Sequence, residues 1–273
     1  MLFRSKQPKV CVGLTYLSKF GATLWLSKFA SVNTRLNINI RYLCVMRFDI
    51  ISAVPDLLNG LLGYSIPSRT CSKGLAEIHI HNLHDYGLGK YKQIDDTPFG
   101  GGAGMVLMPE PLSAVIEKLK SERDYDQVIY LTPDGLPLKQ GLSNQLSLSK
   151  NIMLICGHYK GIDHRVRDLY VTMEISLGDF VLSGGEIAAA AVVDSVVRLL
   201  PGVLGDEESA LSDSFQDDLL APPLYTRPEV FRGIRVPEVL TTGNHPKIAQ
   251  WKHEQAMERT QRLRPDLLGD EEV

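Results

Sequence analysis

Residues 151–163 read Asn151-Ile152-Met153-Leu154-Ile155-Cys156-Gly157-His158-Tyr159-Lys160-Gly161-Ile162-Asp163, and this stretch decides the fold class. An apolar run closed by Cys156, with no polar alternation, is what a strand buried on both faces requires. Such strands belong to parallel sheets covered by helices. Gly157 and Gly161 follow at the C-terminal end of the strand, the edge where open α/β sheets hold ligands. They permit tight backbone geometry there. The same residues also serve a plain strand-to-helix turn, with Asp163 capping a helix His164–Leu169.

Outward from this point the chain alternates. Strand-like runs are 47–52, Leu75–Ile80, Gln127–Thr132 and Val171–Leu177; helical runs are about 56–63, 109–123, 138–148 and 184–200. The alternation predicts an α/β domain over 46–204 with a mostly parallel sheet. Residues 205–220 are acidic and polar and read as a linker. Residues 221–273 read as a small helical domain whose clearest helix is Pro246–Leu263.

Residues 1–45 differ from all of this. Seven of the 29 basic residues and none of the 32 acidic ones fall there, so the rest carries 22 against 32, a net charge of −10. Three readings compete for this leader: upstream sequence translated from a mis-called start, an organelle transit peptide, and a disordered arm. The first is favoured because structured sequence begins at Met46. Bulk charge argues mildly against nucleic-acid binding, but a local patch matters more than the sum. Residues 225–264 supply one, with eight Lys or Arg against four Asp or Glu. Lys252, Arg259 and Arg262 share a helix face and are the candidate RNA contacts; the alternative is a merely solvated face. The four cysteines, Cys11, Cys44, Cys71 and Cys156, form no C-x-x-C pair. Reduced thiols in a cytoplasmic protein are the simplest account. No uncharged apolar run is long enough to span a membrane.

Several motifs carry chemistry. Phe99-Gly100-Gly101-Gly102-Ala103-Gly104-Met105 is glycine-rich but lacks the Lys-Ser/Thr of a Walker loop and the spacing of a dinucleotide fingerprint. Gly178-Asp179-Phe180-Val181-Leu182-Ser183-Gly184-Gly185-Glu186 leads into an apolar helix. Ser183 and Glu186 there fit a capping box, which leaves the apolar Phe180-Val181-Leu182 unexplained. Arg198 closes that helix, with Asp194 one turn earlier as an ion-pair partner. Asp213 reads by itself as the cap of a short helix, Ser214–Leu220. His79, His81 and His84 fit a solvated strand face better than a metal site, since no fourth ligand stands at a recognised spacing.

Taken in order, these motifs resemble a known family. Phe99–Met105, Gly157–Asp163, Gly178–Glu186 and Pro201-Gly202-Val203-Leu204-Gly205 are followed by Asp213-Ser214-Phe215, Tyr225-Thr226-Arg227-Pro228 and Gly243-Asn244-His245. The set is similar to the bacterial tRNA (guanine-N(1))-methyltransferases, the TrmD family of the SPOUT superfamily, over about 46–268. Seven motifs in one order are far more specific than any of them singly. The resemblance implies a deep C-terminal trefoil knot, which ordinary connection rules do not produce. It implies a homodimer with shared active sites. S-adenosyl-L-methionine would be the methyl donor, and the acceptor would be the guanosine at tRNA position 37, 3′ of the anticodon. Carried onto this chain, the donor site comprises Tyr130, Leu131, Thr132, Pro133, Gly157, Gly161, Phe180, Leu182, Gly184 and Gly185, and the catalytic pair is Arg198 and Asp213.

Three features depart from the family pattern. His158 and Lys160 stand where Arg and Glu are common, Phe180 replaces a common Tyr, and 1–45 has no counterpart. Lys160 leaves a Mg2+ requirement open, and no metal ligands are assigned. Competing readings are another SPOUT methyltransferase, an RNA-binding module that kept the fold, and a phosphate-binding enzyme built on Gly100–Gly104. Tyr225–Pro228 with Gly243–His245, the retained Arg198 and Asp213, and the absent Lys-Ser/Thr argue against them in turn.

Overall fold

Apolar strands joined by amphipathic helices form a parallel sheet only if each crossover returns over one of its faces. A computed structural model describes this arrangement for residues 45–205 and 213–269, which belong to one compact unit. The expectation for the leader 1–45 falls, Val45 apart, outside the described residues, as does the acidic run 206–212 of the expected linker.

The elements run β1 (Met46–Ser52), α1 (Pro55–Leu62), α2 (Ser65–Ser72), β2 (Ala76–Asn82), β3 (Asp95–Asp96), β4 (Val106–Leu107), α3 (Pro109–Glu122), β5 (Gln127–Pro137), α4 (Gln140–Leu146), β6 (Asn151–Cys156), α5 (His164–Tyr170), β7 (Met173–Ser176), α6 (Glu186–Val197), β8 (Val230–Phe231), β9 (Ile234–Arg235) and α7 (His245–Leu263). The central sheet has the order β2-β1-β6-β5-β7, and every pairing in it is parallel. The α/β expectation therefore holds. Helix α2 lies outside the expected helical runs. Pro67 is tolerated there because first-turn N–H groups have no intrahelical partner.

Both faces of the sheet are covered. Phe48, Ile50, Ile129, Ile152 and Leu154 pack with α1, α4 and the Ala and Val residues of α6. Ile51, Val128, Met153 and Ile155 pack with α3 and Val166 of α5. Helix α6 is apolar nearly all round because it lies against β1, β6, α1, α2 and α4 together. Strand β5 outlasts its expected end. Its pairing with β7 shifts register between Leu131 and Leu136, so Thr132–Gly135 forms an excursion within the strand. A Cβ on Gly135 would lie 2.6 Å from the Ile175 nitrogen, so only glycine lets the excursion return that close to β7.

Beyond α6, the described elements are the β8–β9 hairpin, the long helix α7 and two short 3-10 turns. Asn244 caps α7 by accepting from the Lys247 amide, and Pro246 occupies its first turn. Thr260, buried on α7, accepts from the Leu220 amide at 2.9 Å and so holds the segment after Asp213.

Candidate active site

Chain order sends β1 to β2 on one side and β6, through α5, to β7 on the other. The C-terminal ends of β1 and β6 therefore flank a topological switch point, where ligands enter such sheets. Three loops meet there: the excursion after Leu131, the turn Gly157–Ile162 and the segment Leu177–Gly185. The Gly185 amide donates to the Gly157 carbonyl at 2.8 Å, and His158 bridges Gly184. A Cβ on Gly185 would stand 2.8 Å from the Cys156 Cα. Tyr130, 4% exposed, points its hydroxyl between Gly157 and Gly161, where added Cβ atoms would lie 2.9 and 3.0 Å from it. These glycines are thus required first by contact between loop and loop, a reason that spacing along the chain does not reveal.

The glycine run joins the same assembly. Lys160 donates its amide to Met105, Leu107 donates to the Gly161 carbonyl, and Asp163 donates to Leu107. The Lys160 side chain covers Gly104, whose φ of +101° suits glycine. Asp163 does cap α5, accepting from the Arg165 amide, as the strand-to-helix turn reading of this stretch expects.

The remaining donor candidates divide by exposure. Leu131 and Thr132 are buried with Tyr130, whereas Pro133 and Phe180 are exposed. Leu182 is half-buried. The Phe180 ring folds back over Gly178. Burial pushes the Tyr130 phenol above its ordinary range.

Three readings from residue type alone are corrected. Ser183 and Glu186 form no capping box: the helix begins at Gly185 without a side-chain cap, and Glu186 is buried. Its carboxylate accepts instead from the Ser52 hydroxyl at 2.7 Å, tying β1 to α6 across the switch point. Arg198 does not turn to Asp194; its Nη2 donates to Asp213 Oδ2 at 2.5 Å. Asp213 caps nothing, since 214–220 is turn and bend rather than helix. The three histidines go to separate partners: His79 to Glu77, His81 to Asp49, and His84 to the Lys92 carbonyl.

Not every candidate meets within this chain. Arg198 stands thirteen residues after Gly185, at the far end of α6. At 1.5 Å of rise per residue, the Arg198–Asp213 pair is about 20 Å from the glycine loops. Lys252, Arg259 and Arg262 are all exposed on α7. Arg259 and Arg262 line a small cleft of about 160 Å3 with Pro223, Gln255, Glu258 and Leu263.

Comparison with known proteins decides the family. A sequence model of the tRNA (guanine-1)-methyltransferase TrmD family matches residues 46–270. The chain belongs to this family. A relative from Christiangramia forsetii is 62% identical over 226 residues, covering 83% of this chain and all of the relative. One from Bacteroides fragilis is 56% identical over 225 residues, 82% of this chain and all of the relative. One from Chlorobaculum tepidum is 58% identical over 226 residues, 83% of this chain and 98% of the relative. Each is named tRNA (guanine-N(1)-)-methyltransferase. Within the family frame, the buried Ser52–Glu186 bond, His158 Nδ1 and Arg167 are features that sequence reading passed over. Each draws its meaning from residues distant in the chain.

Among the described residues, His158 Nδ1 is a buried side-chain nitrogen without a hydrogen-bond partner. A buried polar atom in this position calls for a polar ligand. The loop assembly thus presents an unpartnered polar atom to S-adenosyl-L-methionine, the methyl donor that the family implies. No group of three or more acidic, His or Cys side chains among the described residues is arranged for a metal ion.

Proposed function

We propose that the chain methylates N(1) of the guanosine at position 37 of tRNA, with S-adenosyl-L-methionine as donor. The observation that carries this reading is the Arg198–Asp213 ion pair in a chain of the TrmD family. Bound in the glycine loops, the donor supplies a methyl group already electrophilic on a sulfonium sulfur. Nucleophilic attack by guanine N(1) requires loss of its proton, and Asp213 accepts it as general base. Negative charge then spreads to the neighbouring O6, which the Arg198 guanidinium stabilises. Tyr130, Leu131, Thr132 and Pro133, with Gly157, Gly161, Phe180, Leu182, Gly184 and Gly185, hold the donor in place. The crossing of Gly185 over Cys156–Gly157 supports the knotted topology.

The separation of about 20 Å within one chain supports a homodimer with shared sites. Each Arg198–Asp213 pair serves the glycine loops of the other protomer. Val54, Leu57 and Leu61 lie along one side of α1, and with Tyr64 they are 41–75% exposed, an apolar surface suited to burial in that dimer. The region after 221 grips the RNA backbone through Lys252, Arg259 and Arg262. Any Mg2+ requirement is a matter for assay. The cytoplasm suits a tRNA enzyme, and none of the described helices is long and apolar enough to cross a membrane.

The test is to incubate the protein with labelled S-adenosyl-L-methionine and unmodified tRNA, then to map the product. One-methylguanosine at position 37 is the expected result. Label on another atom or another nucleotide would overturn the reading.

A further inference from the structure

Arg167 lies outside every motif that the resemblance uses, yet it joins its own helix α5 to the two strands β5 and β7 around the donor loops. From α5 its Nε donates to Glu174 Oε1 at 2.8 Å, and Nη2 donates to Glu174 Oε2 at 2.5 Å and to Asp134 Oδ2 at 2.8 Å. Its guanidinium carbon stands 5.3 Å from the centroid of the Tyr130 ring. One side chain thus joins α5 to β7, to the excursion Thr132–Gly135 and to the aromatic residue that spaces Gly157 from Gly161. Asp134 is 61% exposed at the tip of that excursion, where an unpaired carboxylate would stay in water. It is paired nonetheless, accepting from the Thr132 hydroxyl as well as from Arg167. Thr132 and Arg167 together hold its carboxyl below the usual range.

A planar guanidinium fork suits this task. It engages Glu174 through two nitrogens and still reaches Asp134, which a lysine ammonium does less well. Without Arg167, Asp134 and Glu174 become like-charged neighbours with nothing between them. The excursion would swing toward solvent, and the Tyr130 ring would lose the cation over its face.

We infer that Arg167 is a positioning residue for the methyl donor, holding Thr132–Gly135 through Asp134 and bracing the Tyr130 ring behind the second loop. This rests on the reading of the three loops as the donor site. Arg167 touches no reacting atom, so its loss acts on donor affinity rather than on the chemical step.

Steady-state kinetics on the full chain, varying donor at saturating tRNA and the reverse, test this. Arg167→Met should raise the donor KM about tenfold, the cost of a charge-assisted hydrogen bond, with kcat and the tRNA KM within about twofold of wild type. Asp134→Asn, at an exposed position that leaves the Arg167–Glu174 pair intact, should raise it about threefold and serves if Arg167→Met folds poorly. Arg167→Lys should recover part of the loss. The double variant Arg167→Met/Asp134→Asn should be no worse than Arg167→Met, because both remove one coupling. A donor KM within about twofold of wild type in Arg167→Met and Asp134→Asn alike would overturn the inference, even if melting temperature fell. Saturable binding of labelled donor to the wild-type chain separates the two levels. If that binding is absent, the donor-site reading falls and takes this inference with it.

Discussion

Asp49 shows how far a single residue departs from what its type predicts. It is fully buried on β1, accepting from Arg47 through two nitrogens, from His81 at 2.7 Å and from the Tyr125 hydroxyl at 2.8 Å. Burial alone would raise its pKa, but these bonds outweigh burial and hold the carboxyl well below the usual range. Its contribution is therefore complete above the unfolded-state pKa and is lost as pH falls through the folded one. Thermal melts should show stability declining below about pH 4, and Asp49→Asn should flatten that decline while costing about 3 kcal/mol near neutrality. An unchanged acid limb in the variant would assign acid loss to other groups. At Asp213 the corresponding change tests chemistry instead of stability. Asp213→Asn keeps a hydrogen-bond acceptor for Arg198 but cannot take a proton. It should lower kcat at least about a hundredfold, with donor and tRNA affinities and melting temperature near wild type. Near-normal turnover at saturating tRNA would remove Asp213 from the mechanism.

At the scale of elements, periodicity was legible and partnership was not. The spacing in 246–263 places Lys252, Arg259 and Arg262 together, and α7 keeps all three exposed beside Ala256 and Thr260, which are buried. Reversing Lys252 and Arg259 to Glu should weaken tRNA binding and reduce its salt slope by about 2, roughly 0.9 for each phosphate no longer neutralised. Donor binding should stay the same; tRNA affinity equal to wild type would clear this face of the role. Strand β6 was equally plain, because a strand buried on both faces advertises itself in one unbroken apolar run. The start of α6 was misread for the opposite reason. Ser183 and Glu186 match the local chemistry of a cap, while the actual partner of Glu186 is Ser52, 134 residues away.

At the scale of the whole molecule, α6 sets the decisive length. It separates the Arg198–Asp213 pair from the glycine loops by about 20 Å, which is why the proposed reading shares each site between two chains. Mixing variants tests this directly. Asp213→Asn and Gly185→Ala should each be inactive as homodimers, the second because its new Cβ would crowd Cys156. Co-refolded, they should regain about a quarter of wild-type activity, since half the dimers are mixed and one of two shared sites in each is intact. No recovery in verified mixed dimers would place both halves of the site in one chain. A chain comprising 46–273 should match the full length in melting and methyl transfer, because the family match begins at Met46. A clear loss of either would give 1–45 a role.

The sequence by itself determined the α/β class, the place of strand β6 and the glycine turn at its end, and the basic face of α7. It also carried the ordered motifs that assign the family. These depend on short-range periodicity and on residue types whose local preferences agree with the tertiary outcome. Only the tertiary structure decided which side chains meet. Tyr130 between Gly157 and Gly161, Ser52 with Glu186, Asp213 with Arg198 and Arg167 with Asp134 are all contacts across loops or strands. A partner's position there is set by sheet order and helix length, and a hydrogen bond leaves no mark on the spacing of the residues that make it.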